Sequence, residues 1–178
     1  LSGKKVLLIG FDLRNPKLYE YVKVNPLGVS NYITSTNKTL NEYIVPVEGY
    51  ESFDVLSSGS IPPNPTEILM NKKIKEVFDT LKAQYDYIIV DTAPVSLVTD
   101  TLLISKYADA TIYVVRANKI DKDMLRIPNE LYKDKKLIKL SLVLNDSDVT
   151  KGYGYGYGYG YGAHVEKKPF WKNLLGMK

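Results

Sequence analysis

Two runs along the chain are apolar with no polar position between them, Val6-Leu7-Leu8-Ile9 and Ile88-Ile89-Val90. Branched side chains without alternation predict strands of a parallel sheet covered on both faces. Each run ends in a turn that carries an acid. The first leads into Gly10-Phe11-Asp12-Leu13-Arg14-Asn15-Pro16, and the second into Asp91-Thr92-Ala93-Pro94. Shorter apolar runs predict strands at Phe53–Leu56, Ala110–Arg116 and Leu140–Asn145. Helical signals fall between them. Thr39-Leu40-Asn41-Glu42 has the spacing of a capping box for a short helix through Ile44, which Pro46 stops. The loop from Ser57 to Pro65 is stiffened by three prolines, after which Asn64 as cap and Pro65 as first helical residue predict a helix to about Gln84. Its apolar stripe would be Met70, Ile74, Val77, Phe78 and Leu81. Further helices are expected over Thr99–Tyr107 and Asp121–Leu131, the latter broken at Pro128. Five strands alternating with helices predict an α/β fold with a doubly wound, mostly parallel sheet and flanking helices.

Composition narrows the class. With 178 residues and 44% hydrophobic positions the chain can bury one substantial core. No apolar run approaches the roughly 20 residues that span a bilayer, and no signal peptide opens the sequence. The absence of cysteine excludes disulfides and thiolate metal sites and fits a reducing compartment. The net charge is +4, and from Lys151 onward five lysines stand against one glutamate, so that stretch alone accounts for it. A near-neutral remainder lacks the basic stripe of a nucleic-acid binder. Because the chain starts at Leu1 in an approach to a strand, it is expected to be part of a longer protein. Residues 1–148 read as the domain and 149–178 as a tail. Within the tail, Gly152 to Gly162 alternates six glycines with five tyrosines, Tyr153, Tyr155, Tyr157, Tyr159 and Tyr161. Glycine at every second position disfavours a strand, so the tail is expected to be disordered, closing in a basic and aromatic segment around Phe170 and Trp171.

The candidate chemistry lies at the strand ends. Open α/β sheets bind ligands just outside the carboxyl ends of their strands, where nucleotide-hydrolysing folds place an Asp that helps hold phosphate-bound magnesium. Asp91 stands at such an end, and Asp12 lands just past another. The ordinary alternative for Asp91 is a cap on the following turn. His164 is the lone histidine and has no companion suggesting metal or base chemistry.

Four features combine: Ile9-Gly10-Phe11-Asp12-Leu13-Arg14, the loop from Pro62 to Leu69, Tyr87–Pro94, and the tyrosine cluster. Together they resemble the bacterial tyrosine kinases of capsule and exopolysaccharide export, which have a P-loop NTPase-like fold of the deviant Walker A group. The resemblance implies an ATP- and Mg2+-dependent protein-tyrosine autokinase that phosphorylates tail tyrosines in trans and regulates polysaccharide polymerisation and export. By the same resemblance Asp12 and Arg14 match the Walker A′ segment and Asp91 the Walker B acid. Asp91 and Asp12 would hold metal, Asp12 could also accept the tyrosyl proton, and Arg14 would support the phosphate or the geometry of Asp12. Asn145, closing the last strand, could meet the purine base, and Tyr153, Tyr155, Tyr157, Tyr159 and Tyr161 would be the phosphorylated residues. Implied partners are other copies in a ring, an upstream membrane-embedded co-polymerase domain and a tyrosine phosphatase, at the cytoplasmic face of the inner membrane. The pattern departs at Gly10, where the family has the first Walker A′ Asp, and at Ala93. No G-x-x-x-x-G-K-[ST] phosphate loop occurs in the 178 residues. Alternatives are a partner-regulated deviant Walker A ATPase switch, which needs no tyrosine tail, and an inactive adaptor without nucleotide binding.

Overall fold

Val6–Gly10 forms β1, the strand on which the larger sheet is built. The computed structural model describes residues 3–35, 37–96 and 99–147. Parallel neighbours flank β1 on both sides: β3 (Phe53–Leu56), with Val6 opposite Phe53, and β4 (Tyr87–Asp91), with Gly10 opposite Asp91. An antiparallel edge strand, β2 (Ile44–Pro46), completes the order β2-β3-β1-β4. A separate parallel pair joins β5 (Thr111–Arg116) to β6 (Leu140–Asn145). The α/β class and the mostly parallel pairing follow the sequence pattern, but the strands fall into two sheets rather than one.

The helices are α1 (Val29–Thr34), α2 (Pro65–Met70), α3 (Lys73–Lys82), α4 (Asp100–Ser105) and α5 (Arg126–Lys133). The stripe Ile74, Val77, Phe78 and Leu81 of α3 is buried in the same cluster as Leu7 and Ile9 of β1, with Val29 and Ile33 of α1 and Ile104 of α4. Each such aliphatic side chain, fully buried, contributes about 1.5–3 kcal/mol. Phe78 is the keystone. Its ring stacks on Phe11 at 5.4 Å and on Tyr107 at 4.8 Å, tying the loop after β1 to the end of α4.

Several elements differ from the sequence expectation, each for a local reason. The helix expected from Pro65 to Gln84 is two helices, because Asn71 turns extended and its side chain accepts from the Lys73 N–H, a bond that competes with helix continuation. Met70, placed in the stripe by spacing, is consequently exposed. Asn64 makes no cap bond; its amide donates to Glu67 instead. The capping box at Thr39 and Glu42 does form, with the Thr39 N–H donating to Glu42 Oε1 at 2.9 Å, but it starts a single turn of Leu40–Tyr43. Pro46 then lies in an edge strand, where its missing N–H is tolerated. Pro128 does not break a helix; it sits in the first turn of α5.

One difference concerns the whole sheet. Ile88 and Val90 pack on the core, whereas Ile89, on the opposite side of β4, is 55% exposed and Tyr87 beside it is exposed as well. In β5, Ile112 is 67% exposed. The unalternated runs predict cover on both faces, and among the described residues only one face of β4 has it. The backbone next to β5 and β6 also takes positive φ at four non-glycine residues, Asn118, Lys135, Lys139 and Asp146. Among the described residues no helix is long and apolar enough to cross a membrane. The tyrosine repeat and the basic end lie outside the described residues.

Candidate functional site

Parallel pairing brings two of the four predicted side chains together. Because Gly10 is opposite Asp91 and the Phe11 N–H donates to the Asp91 carbonyl at 2.7 Å, the turn carrying Asp12 leaves β1 directly beside the end of β4. Asp12 is held by its own loop: Oδ1 accepts from the backbone N–H of Arg14 at 3.0 Å and of Asn15 at 2.9 Å. Its other oxygen makes no hydrogen bond among the described residues. Asp91 is half-buried, and its carboxylate has no hydrogen-bond partner among the described residues. Burial first, and then the charge of Asp12, push its carboxyl above the ordinary value. A carboxylate without a partner, raised by a neighbour of like charge, suits either a cation or a proton.

Arg14 has a different setting from the one its position suggests. Its Nε donates to Asp100 Oδ2 at 2.6 Å and its Nη2 to Asp100 Oδ1 at 3.0 Å, a two-pronged pair, with a further bond from Nη2 to Thr66 Oγ1 at 3.2 Å. Asp100 is only 2% exposed. The guanidinium therefore joins the Asp12 loop to the starts of α4 and α2, and its fork geometry fits that role. Sequence reasoning passed over Asp100 and Thr66. The available signal was an acid at a helix start following an apolar strand, which is too common to single out.

Asn145 stands apart. It ends β6 opposite Arg116, its carbonyl accepts from the Ala117 N–H, and its side chain accepts from the Asp146 N–H, as a turn residue does. It belongs to the two-stranded sheet, whereas Asp91 ends a strand of the larger one and Asp12 lies in the turn after β1. The five tail tyrosines lie outside the described residues.

Among the described residues no group of three or more His, Cys, Asp or Glu is placed to hold a metal ion. A pair of hard carboxylates nevertheless fits magnesium, which keeps several waters and is bound through one or two carboxylates plus substrate phosphates. For the nucleotide the fit is poor. The loop whose amides and lysine cradle phosphates is not among the 178 residues.

No protein-family model matches the chain. It is 35% identical over 151 residues to "Tyrosine-protein kinase YwqD" of Bacillus subtilis, covering 84% of this chain and 63% of that protein. Over 152 residues it is 33% identical to "Tyrosine-protein kinase CpsD" of Streptococcus pneumoniae, covering 84% of this chain and 66% of that one. The chain thus spans a little under two-thirds of the length of these relatives. Among solved structures, the chimerical protein CapA2B2 superposes with a TM-score of 0.74 at 34% identity, over 82% of this chain and 64% of that one. The septum site-determining protein MinD of Pyrococcus horikoshii, at 20% identity and a TM-score of 0.59, shares the fold.

Proposed function

Since the chain is a homologue of the bacterial tyrosine-protein kinases over most of its length, we propose that it carries the carboxylate half of a tyrosine autokinase site. The site acts on tail tyrosines of another copy and regulates capsular or exopolysaccharide export. The observation that carries this reading is the juxtaposition of Asp12 with the half-buried, unpartnered Asp91 at neighbouring parallel strand ends. Phosphoryl transfer asks chiefly for positioning and charge neutralisation. Asp91 and Asp12 would hold magnesium, which supplies charge neutralisation at the phosphates. A phenol with an ordinary pKa near 10 is a poor nucleophile at neutral pH, so a nearby carboxylate or metal assists its attack. Asp12, presented beside Asp91 on a loop fixed by two backbone bonds, is placed to bind metal or accept that proton.

The phosphate-holding half needs a loop that these residues do not contain. Mg-ATP titrated into the 178-residue chain in a calorimeter is therefore expected to give little or no heat, and micromolar affinity would mean that the site is built otherwise. In the complete kinase, Asp91→Asn and Asp12→Asn are each expected to abolish phosphate incorporation with the fold intact. Mass spectrometry of protein from its own cells is expected to find phosphate on several of Tyr153, Tyr155, Tyr157, Tyr159 and Tyr161. Consistent absence there during active export would sink the kinase reading. One other reading is an adaptor that binds no nucleotide. That reading gains if the carboxylate variants leave phosphorylation unchanged.

A further inference from the structure

We propose that Asp100 is a positioning residue of the kinase site, acting through Arg14 to hold the turn that presents Asp12 beside Asp91. The inference rests on the kinase reading for the reaction it serves, and on the hydrogen bonds alone for the geometry. Arg14 is bonded at both ends. Its backbone N–H is one of the two that fix Asp12 Oδ1, and its guanidinium grips both oxygens of Asp100. The dependence runs from Asp100 to Arg14. Among the described residues the two Asp100 oxygens accept from Arg14 and from no other group, and a buried ionised carboxylate without a partner is costly. Asp100 therefore keeps the guanidinium where it is. Nε and Nη2 are both taken, Nη2 also donating to Thr66 Oγ1 at 3.2 Å, so a phosphate could claim either only by stranding a buried charge.

Asp100 is tied in turn to the other acid. Thr101 Oγ1 donates to the Ala93 carbonyl at 2.6 Å, which fastens the start of α4 to the turn just past Asp91. On the near side the Phe11 N–H donates to the Asp91 carbonyl. The bonds therefore close a circuit, from Asp91 through Thr101, Asp100 and Arg14 to Asp12, and back through Phe11. Strand register brings the two turns together, and this circuit sets one against the other.

Core packing leaves that setting undecided. Phe11 and Leu13 are fully buried and anchor the turn, but Asp12 between them lies outside the core cluster. Its carboxylate takes its direction from the Arg14 and Asn15 N–H groups, and the place of the first depends on the Asp100 grip. Groups that orient a metal-holding side chain typically matter about 10–100-fold for metal affinity or activity.

Amide hydrogen exchange of the full 178-residue chain reads the geometry. Asp100→Asn should speed exchange at the Arg14 and Asn15 amides about tenfold or more, with Leu8 and Ile9 of β1 unchanged. Leu81→Ala, a core truncation in the last turn of α3, should instead speed exchange across β1 without singling out that turn. Should Asp100→Asn misfold, Thr66→Val is expected to loosen the same two amides to a smaller degree and Thr66→Ser to restore them. In the complete kinase, Asp100→Asn should lower kcat about 10–100-fold and change the KM for ATP less than about twofold. The double variant with Arg14→Ala should lose no more than the larger single one, because both interrupt one relay. Turn amides that exchange in the parent as freely as in an unfolded chain, or that Asp100→Asn leaves protected, overturn the proposal. So does an Arg14→Ala kinase whose KM for ATP rises while Asp100→Asn keeps its kcat, the pattern of a guanidinium that binds phosphate. Normal phosphate incorporation with Asp100→Asn refutes this inference alone; a parent kinase that incorporates no phosphate, its turn amides loosened by Asp100→Asn all the same, refutes the kinase reading alone.

Discussion

The β1-centred sheet and the β5–β6 pair are made from equally apolar strands, yet they are buried very differently. Leu7 and Ile9 of β1 are fully covered by α3 and its neighbours, while Ile112 and Val114 of β5 and Leu142 and Leu144 of β6 stand largely open. Apolar content makes a strand, but helices bearing a matching stripe make it a core. The first sheet has Ile74, Val77, Phe78 and Leu81 laid across one face. In α5, which precedes β6, only Pro128 is buried. Among the described residues the four that take positive φ without being glycine all fall in this second region, and for Lys135 and Lys139 that conformation costs about 1–2 kcal/mol relative to the right-handed one. The β1 half carries the local order that a catalytic site requires, and Asp12 and Asp91 are both there.

The contrast can be broken most directly with one truncation on each side. Phe78→Ala removes the ring between Phe11 and Tyr107 and should cost about 3–5 kcal/mol in urea denaturation, whereas Val114→Ala should change stability by no more than about 0.5 kcal/mol. Equal costs would mean that β5 is covered in solution. A second effect is smaller and asymmetric. Arg14→Ala leaves the buried Asp100 carboxylate without its main partner and should lower stability, by less than the loss from a fully enclosed pair because the guanidinium side is open to water. Asp100→Asn frees a cation that water can solvate, so it should cost less. The reverse order would contradict the role given to Arg14.

The smallest effect tests whether the β1 half holds strain at its carboxylate pair. The folded-state pKa of Asp91 is raised, so the folded chain prefers the protonated form more than the unfolded chain does. Ionisation at neutral pH therefore works against folding, and the penalty disappears as pH falls through the folded pKa toward the ordinary value of 3.8. Asp91→Asn should melt slightly higher than the parent chain at pH 7, with the difference shrinking in acid. A variant that melts lower at neutral pH would show that Asp91 is held by a favourable partner.

The strands and the acids at their ends were legible because unalternated β-branched runs have few other uses, and because a carboxylate after such a run is a local signal. Residues 87–91 and 6–10 needed nothing more. The break at Asn71, the edge strand ending in Pro46 and the separation of β5–β6 were not legible, since each depends on which helix finds which face. Asp12 and Asp91 could be named from sequence, but that they are neighbours depends on the register of β1 against β4. Arg14 could be named too, although its partners could not: Asp100 and Thr66 lie 86 and 52 positions further along.

That separation bears on when the site forms as the chain folds. Contacts that close loops of 52 and 86 residues bear their entropic cost before they return any stabilisation. The packing of α3 on β1 closes loops of similar length but buries apolar surface in return, whereas the Arg14 tie is polar and open to water on the guanidinium side, so the tie should be absent from the folding transition state. Its loss would then accelerate unfolding and leave the folding rate nearly unchanged. The Asp12 loop is in this sense the last part of the larger sheet to set and the first to let go.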